Sequence, residues 1–137
     1  MDIVRIMDQK VVILMDPADI LNEKAHLGRN RTKEKHYAFD YAYDKETGQN
    51  EIFNKSTKFL IDGIINGYNA TVFAYGATGA GKTYTMLGTE ENPGNMFLTL
   101  KEIFTQIRKY QRDRAYNIRV SFLEIYNEQI RDLIMVS

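Results

Sequence analysis

Eight consecutive residues carry the clearest chemistry in this chain, Gly76-Ala77-Thr78-Gly79-Ala80-Gly81-Lys82-Thr83. They fit the pattern G-x-x-x-x-G-K-S/T, a loop that cradles nucleotide phosphates, at every constrained position. The spacing has a physical reason. Glycines let the backbone curl until successive N–H groups face inward, with no Cβ between them and a phosphate oxygen. Lys82 can then reach the β- and γ-phosphates as a compact charge. The Thr83 hydroxyl can join the oxygen shell of a Mg²⁺ ion that otherwise keeps waters and phosphate oxygens. A helix opening near Gly81 adds its positive end to the same place.

A glycine turn arising by chance is the competing reading, and context argues against it. A phosphate loop needs a strand leading in and a helix leading out, and the apolar run Thr71-Val72-Phe73-Ala74-Tyr75 feeds directly into Gly76. Downstream, Val120-Ser121-Phe122-Leu123-Glu124 looks like an apolar strand ending in an acid that could hold magnesium through water. Asp is the usual residue in that role, so Glu124 is read as a structural carboxylate at a strand end. His26 and His36 are the only histidines and lack close carboxylates at ligand spacing, which argues against catalytic zinc. The absence of cysteine excludes disulfides and thiolate metal sites.

The elements that must position this loop follow from periodicity. Val11–Met15 is a short β-branched-rich run that stops at Asp16-Pro17, which predicts a strand. Glu23–Lys35 is polar and basic and reads as a loop, and His36–Phe39 reads as another short strand with Tyr37 and Phe39 on one face. From Asn50, Ile52, Phe53, Phe59, Leu60, Ile64 and Ile65 recur at helical steps until Asn66-Gly67 supplies a stop signal. Thr71–Tyr75 is predicted as a buried strand. After a loop at Glu90–Asn95, Phe97, Leu100, Phe104 and Ile107 define a second helical face. Tyr116–Tyr126 alternates enough to predict a long strand. Strands interleaved with helices give an α/β layered fold, a central mixed sheet flanked by helices.

Length and composition set the outer bounds. A chain of 137 residues suits one domain, with enough chain to bury a sizeable core. Lys+Arg and Asp+Glu balance at 18 each, so net charge points to neither nucleic acid nor membrane as a partner. The apolar runs are too short to span a bilayer, and Asp2, Arg5 and Asp8 argue against a secretory signal. The expected location is therefore the cytoplasm.

The residues around the phosphate loop add a family resemblance. Gly67-Tyr68-Asn69-Ala70-Thr71-Val72-Phe73-Ala74-Tyr75-Gly76, running on through Gly81-Lys82-Thr83-Tyr84-Thr85-Met86, closely resembles the kinesin phosphate-loop segment. Ser121-Phe122-Leu123-Glu124-Ile125-Tyr126-Asn127-Glu128, followed by Ile130-Arg131-Asp132-Leu133, looks like a second kinesin signature. Tyr37-Ala38-Phe39-Asp40, then Gln49 and Phe53, match a third and weaker one. The match runs over nearly the whole chain. Ala77, Ala80 and the short Thr89–Asn95 segment look most like the class-eight kinesins, which combine plus-end-directed movement with control of microtubule length.

The resemblance implies a P-loop NTPase-type fold, with ATP and Mg²⁺ held by Gly76, Ala77, Thr78, Gly79, Ala80, Gly81, Lys82 and Thr83. Tyr84 resembles the family position beside the adenine; an ordinary helix-surface aromatic is the other reading. Tyr126, Asn127 and Glu128 are expected to be architectural. The basic loop Lys24–Lys35 resembles one that approaches acidic tubulin in class-eight members, and a solvated loop is its alternative. Microtubules are the implied partner and the cytoskeleton the implied location, with the cilium added by members that act there.

Departures from the family pattern shape the expected activity. The resemblance places residues 1–137 within a partial motor domain, without the first strand and its R-x-R-P element, the serine-rich and D-x-x-G switch elements, or the neck linker. No catalytic residue is expected within these residues. The competing account is a truncated, non-hydrolysing module that binds tubulin or another protein. A small P-loop kinase is a weaker rival, because nothing resembles an acceptor site or an arginine-rich lid.

Overall fold

A computed structural model describes residues 3–15, 34–110 and 114–134. The basic loop Lys24–Lys35 lies, except for its last two residues, outside the described residues, as does His26. Near the N-terminus, β1 (Val4–Met7), β2 (Val11–Leu14) and β3 (Lys35–Ala38) form an antiparallel sheet in that order. Val4 pairs with Leu14 and Met7 with Val11, while Val11 also pairs with Ala38. The β1–β2 turn holds Asp8 and Gln9 at φ of 55° and 57°, a left-handed conformation that Asp tolerates better than most residues. The strands expected near Val11–Met15 and His36–Phe39 are therefore present, within a residue of their expected ends. Among the described residues β1 is the third strand of the sheet, and Ile6 is its one half-buried residue.

The single helix expected from Asn50 is two. Helix α1 (Gln49–Ser56) breaks at Thr57, which leaves helical geometry at φ −121° and still bonds its N–H to the Phe53 carbonyl. Helix α2 (Lys58–Ile65) follows at once. Thr57 is buried at the break and its hydroxyl lies 3.3 Å from Asn95 Oδ1, so a polar contact between α1, α2 and the start of the last helix fixes the bend.

The stop signal at Asn66-Gly67 works as expected. The Tyr68 N–H donates to the Gly63 carbonyl at 3.0 Å and the Gly67 N–H to Ile64 at 3.0 Å, which together cap α2 in a Schellman arrangement. That cap needs a left-handed residue at 67, where φ is 93°. An added Cβ there would meet nothing within 4 Å, so the cost of a side chain is conformational rather than steric. Gly67→Ala is thus expected to lower stability by about 1 kcal/mol, read as a fall in the urea midpoint. An unchanged midpoint would remove the cap from this account.

Among the described residues, a short helix α3 (Lys82–Met86) and a long helix α4 (Asn95–Tyr110) follow. Phe53 from α1, Ile61 from α2 and Leu98 from α4 form the buried cluster, with Ile65 and Ile103 packed against it. The face of α4 expected from Phe97, Leu100, Phe104 and Ile107 is displaced. Leu98 and Ile103 turn toward the core, whereas Phe97 and Phe104 remain exposed. Among the described residues, no helix is long and apolar enough to cross a membrane.

Two strand expectations are corrected. Thr71–Tyr75 carries no ladder, and Phe73 and Tyr75 are 79% and 94% exposed rather than buried. A strand is made by its neighbours' hydrogen bonds, and no described residue pairs along this segment. The long strand expected over Tyr116–Tyr126 shrinks to β4 (Leu123–Tyr126), which turns back into β5 (Gln129–Asp132). Asn127 and Glu128 hold φ of 49° and 62°, the two left-handed residues of a tight hairpin turn whose twist suits antiparallel strands. The α/β class stands, with antiparallel ladders among the described residues.

Candidate nucleotide-binding site

Residues 76–81 form a loop that enters α3 directly. Ala80 closes a tight turn by donating its N–H to the Ala77 carbonyl at 3.1 Å, and Thr85 closes the first helical turn on the Gly81 carbonyl at 2.9 Å. Gly79 and Gly81 lie at φ of 82° and 91°, so the curl of the loop needs glycine at both. Gly81 is also the N-cap of α3 and offers no side chain to the helix end. The exposed N–H groups there keep their capacity to bind an acceptor. With five residues, α3 contributes only a small dipole.

The Lys82 ammonium is already placed. Its Nζ donates to the Gly76 carbonyl at 2.9 Å and to the Ala77 carbonyl at 2.7 Å. An ammonium has three donors, so two hold the loop's own backbone and one remains, with the full charge, for an anion in the curl. A residue bound this way loses little freedom when phosphate arrives. The loop thus fits a polyphosphate: curled backbone, fixed cation, no carboxylate within its span.

Of the other predicted residues, Thr78 and Ala80 are exposed along the loop. Thr83 is exposed at the second position of α3, where its hydroxyl is open to join the oxygen shell of a Mg²⁺ ion. The Tyr84 side chain is half-exposed on the same helix. Glu124 lies within the β4–β5 hairpin opposite Arg131, 3.9 Å from its guanidinium, which is a cross-strand ion pair. That geometry agrees with a structural carboxylate.

Two residues hold the site in place in ways that motif reasoning does not show, although Gln49 is part of the third signature. Gln49, the first residue of α1, donates its side-chain N–H to the Tyr84 carbonyl at 2.5 Å. Gly94 donates its N–H to the Leu87 carbonyl at 2.9 Å, just beyond α3. Their signal in the sequence is faint: a polar residue at a helix start and a glycine before another helix. A separate groove of about 510 Å³ is lined by Ile61, Ile64, Val72, Leu100, Val120 and Phe122. Its apolar walls offer nothing to a phosphate.

A model of the kinesin motor domain family matches residues 5–137. The mouse protein named kinesin-like protein KIF19 is 51% identical over 132 residues, covering 93% of this chain and 13% of that protein. The rice protein named kinesin-like protein KIN-8A is 44% identical over 131 residues, covering 96% of this chain and 16% of its own length. The chain thus spans about a sixth or less of these curated relatives. A solved fast kinesin, described for its ATPase mechanism and interactions with microtubules, superposes with a TM-score of 0.75 at 36% identity. That superposition covers 98% of this chain and 35% of the solved one.

Proposed function

This chain belongs to the kinesin motor-domain family, and we propose that it supplies the ATP- and Mg²⁺-binding segment of a motor that couples ATP hydrolysis to movement along microtubules or to control of their length. The observation that carries the nucleotide reading is Lys82 fixed on two carbonyls of its own glycine-curled loop. In this reading Gly76–Thr83 hold the phosphates, Thr83 serves the metal shell, and Tyr84 packs beside the adenine. Bound Mg²⁺ supplies charge neutralisation across the phosphate oxygens. The chain's own residues bind and orient: backbone N–H groups receive phosphate oxygens, and Lys82 sets the register of the terminal phosphates against the loop.

Turnover needs more. Phosphoryl transfer depends on groups that orient the attacking water and stabilise charge on the γ-phosphate. The 137 residues contain neither the serine-rich nor the D-x-x-G element of the family pattern. Residues that grip ground-state phosphate without such groups give affinity rather than rate. The 137-residue chain is therefore expected to bind MgADP saturably, to lose that binding when Mg²⁺ is chelated, and to show no microtubule-stimulated phosphate release. Titration with a fluorescent ADP and a phosphate-release assay check this. No saturable binding below about 1 mM, an affinity near −4 kcal/mol, would overturn the nucleotide reading. Co-sedimentation with microtubules, with and without nucleotide, reads the partner separately.

A further inference from the structure

We propose that Gln49 is a positioning residue for the nucleotide: its carboxamide fixes helix α3 and so sets the affinity of the phosphate loop. The inference rests on the nucleotide reading above.

Helix α3 carries Lys82, Thr83 and Tyr84 and is only five residues long. A helix that short is unstable by itself, because nucleation costs more than so few bonds return. Its position must come from outside contacts. Tyr84 lies in the last turn, where its carbonyl has no later helical N–H to accept. Gln49 supplies the donor from 35 residues away, with its side-chain nitrogen 2.5 Å from that oxygen. On the far side, Gly94 N–H bonds to the Leu87 carbonyl. The short helix is thus held at both ends of its last turn, by the start of α1 and by the approach to α4.

Gln49 is itself anchored. It is 7% exposed at the first position of α1. Nearly two turns on, Lys55 bonds Glu51 at 2.7 Å and also engages the Tyr41 hydroxyl, with its ammonium 4.2 Å from the centre of the Tyr41 ring. Tyr41 in turn donates to Gln9 Oε1 at 3.0 Å in the β1–β2 turn. The tether therefore starts from an element locked to the sheet and ends two residues after Lys82.

The residue type is informative. A buried amide is costly unless it is hydrogen-bonded, so a site needing only packing would be served by a leucine. A glutamate there would offer no donor and would put negative charge near a polyphosphate. Glutamine supplies a donor with no charge. Tyr84 lies two residues from Lys82 on the same short helix, so a shift at Tyr84 reaches Lys82, whose bonds of 2.9 and 2.7 Å to the loop tolerate little displacement.

The test uses the 137-residue chain with MgADP as the probe, comparing wild type with Gln49→Met and Gln49→Glu. Methionine keeps length and volume but removes the donor. Gln49→Met is expected to weaken MgADP about 10-fold, equal to about 1.4 kcal/mol, and Gln49→Glu at least as much. In the nucleotide-free chain, amide exchange at residues 83–88 is expected to quicken while the β1–β3 sheet keeps its wild-type rates. Wild-type affinity in both variants would overturn the proposal and leave the nucleotide reading standing. Equal acceleration of exchange across the sheet and α3 would also overturn it, by making Gln49 a general packing residue. Failure of the wild-type chain to bind MgADP would overturn both together.

Discussion

Lys82→Ala is expected to weaken MgADP binding about 100-fold or more while the chain stays folded. A charge-assisted hydrogen bond contributes roughly 1.5–3 kcal/mol, and about 2.7 kcal/mol is 100-fold in affinity. Alanine removes such a contact to phosphate. It also removes the two bonds by which Lys82 ties the Gly76 and Ala77 carbonyls into the curl, so the empty loop loses its shape in advance of binding. The two effects act in the same direction. Lys82→Arg separates them from simple loss of charge: a planar guanidinium keeps the charge but does not fit a site built for a compact ammonium, so most of the loss should persist. Fold retention is read from circular dichroism and the urea midpoint. Affinity unchanged in Lys82→Ala would remove the phosphate loop from the function of this protein.

The sequence made the loop legible because its chemistry is local. Glycine at 79 and 81, lysine at 82 and threonine at 83 are demanded by backbone curl and charge within eight residues; Gly79 and Gly81 adopt the left-handed conformation, and Lys82 bonds the loop's own carbonyls. The Asn66-Gly67 cap was legible for the same reason. Periodicity did less well with burial. It reports that a segment has an apolar face, not that another segment covers it, so Phe73 and Tyr75 of the expected buried strand are exposed, and so are Phe97 and Phe104 of the expected helical face. The α1–α2 break at Thr57 depends on Asn95, 38 residues away, and leaves no local trace. The β4–β5 hairpin was hidden by its turn, since Asn127-Glu128 lacks the glycine that usually marks two left-handed residues. Gln49 was visible as a matching letter, but its role is a long-range bond that no spacing rule announces.

The largest expected effect on stability comes from Ile61→Ala. Ile61 is 1% exposed and is the residue of α2 that meets Phe53 of α1 and Leu98 of α4. Truncating a buried isoleucine removes its transfer free energy and leaves a cavity, at a cost of about 2–5 kcal/mol. Against a typical folding stability of about 5–15 kcal/mol, that is a large share, and larger still where one small cluster joins three helices. Ile61→Val should cost only about 0.5–1.5 kcal/mol. Urea unfolding followed by helical circular dichroism separates these outcomes; a difference between Ile61→Ala and wild type of less than about 0.5 kcal/mol, the usual range for surface changes, would mean that this cluster does not hold the helices together. The effect should also reach the site, because both outside donors to α3 and the residue after it come from elements this cluster locks, Gln49 on α1 and Gly94 before α4. A ligand that binds only the folded state stabilises it by mass action. Saturating MgADP is therefore expected to raise the midpoint of Ile61→Ala toward the ligand-free wild-type value, and to leave that of Lys82→Ala unmoved. If MgADP raised both variants alike, the nucleotide would be held somewhere other than the loop that Lys82 closes.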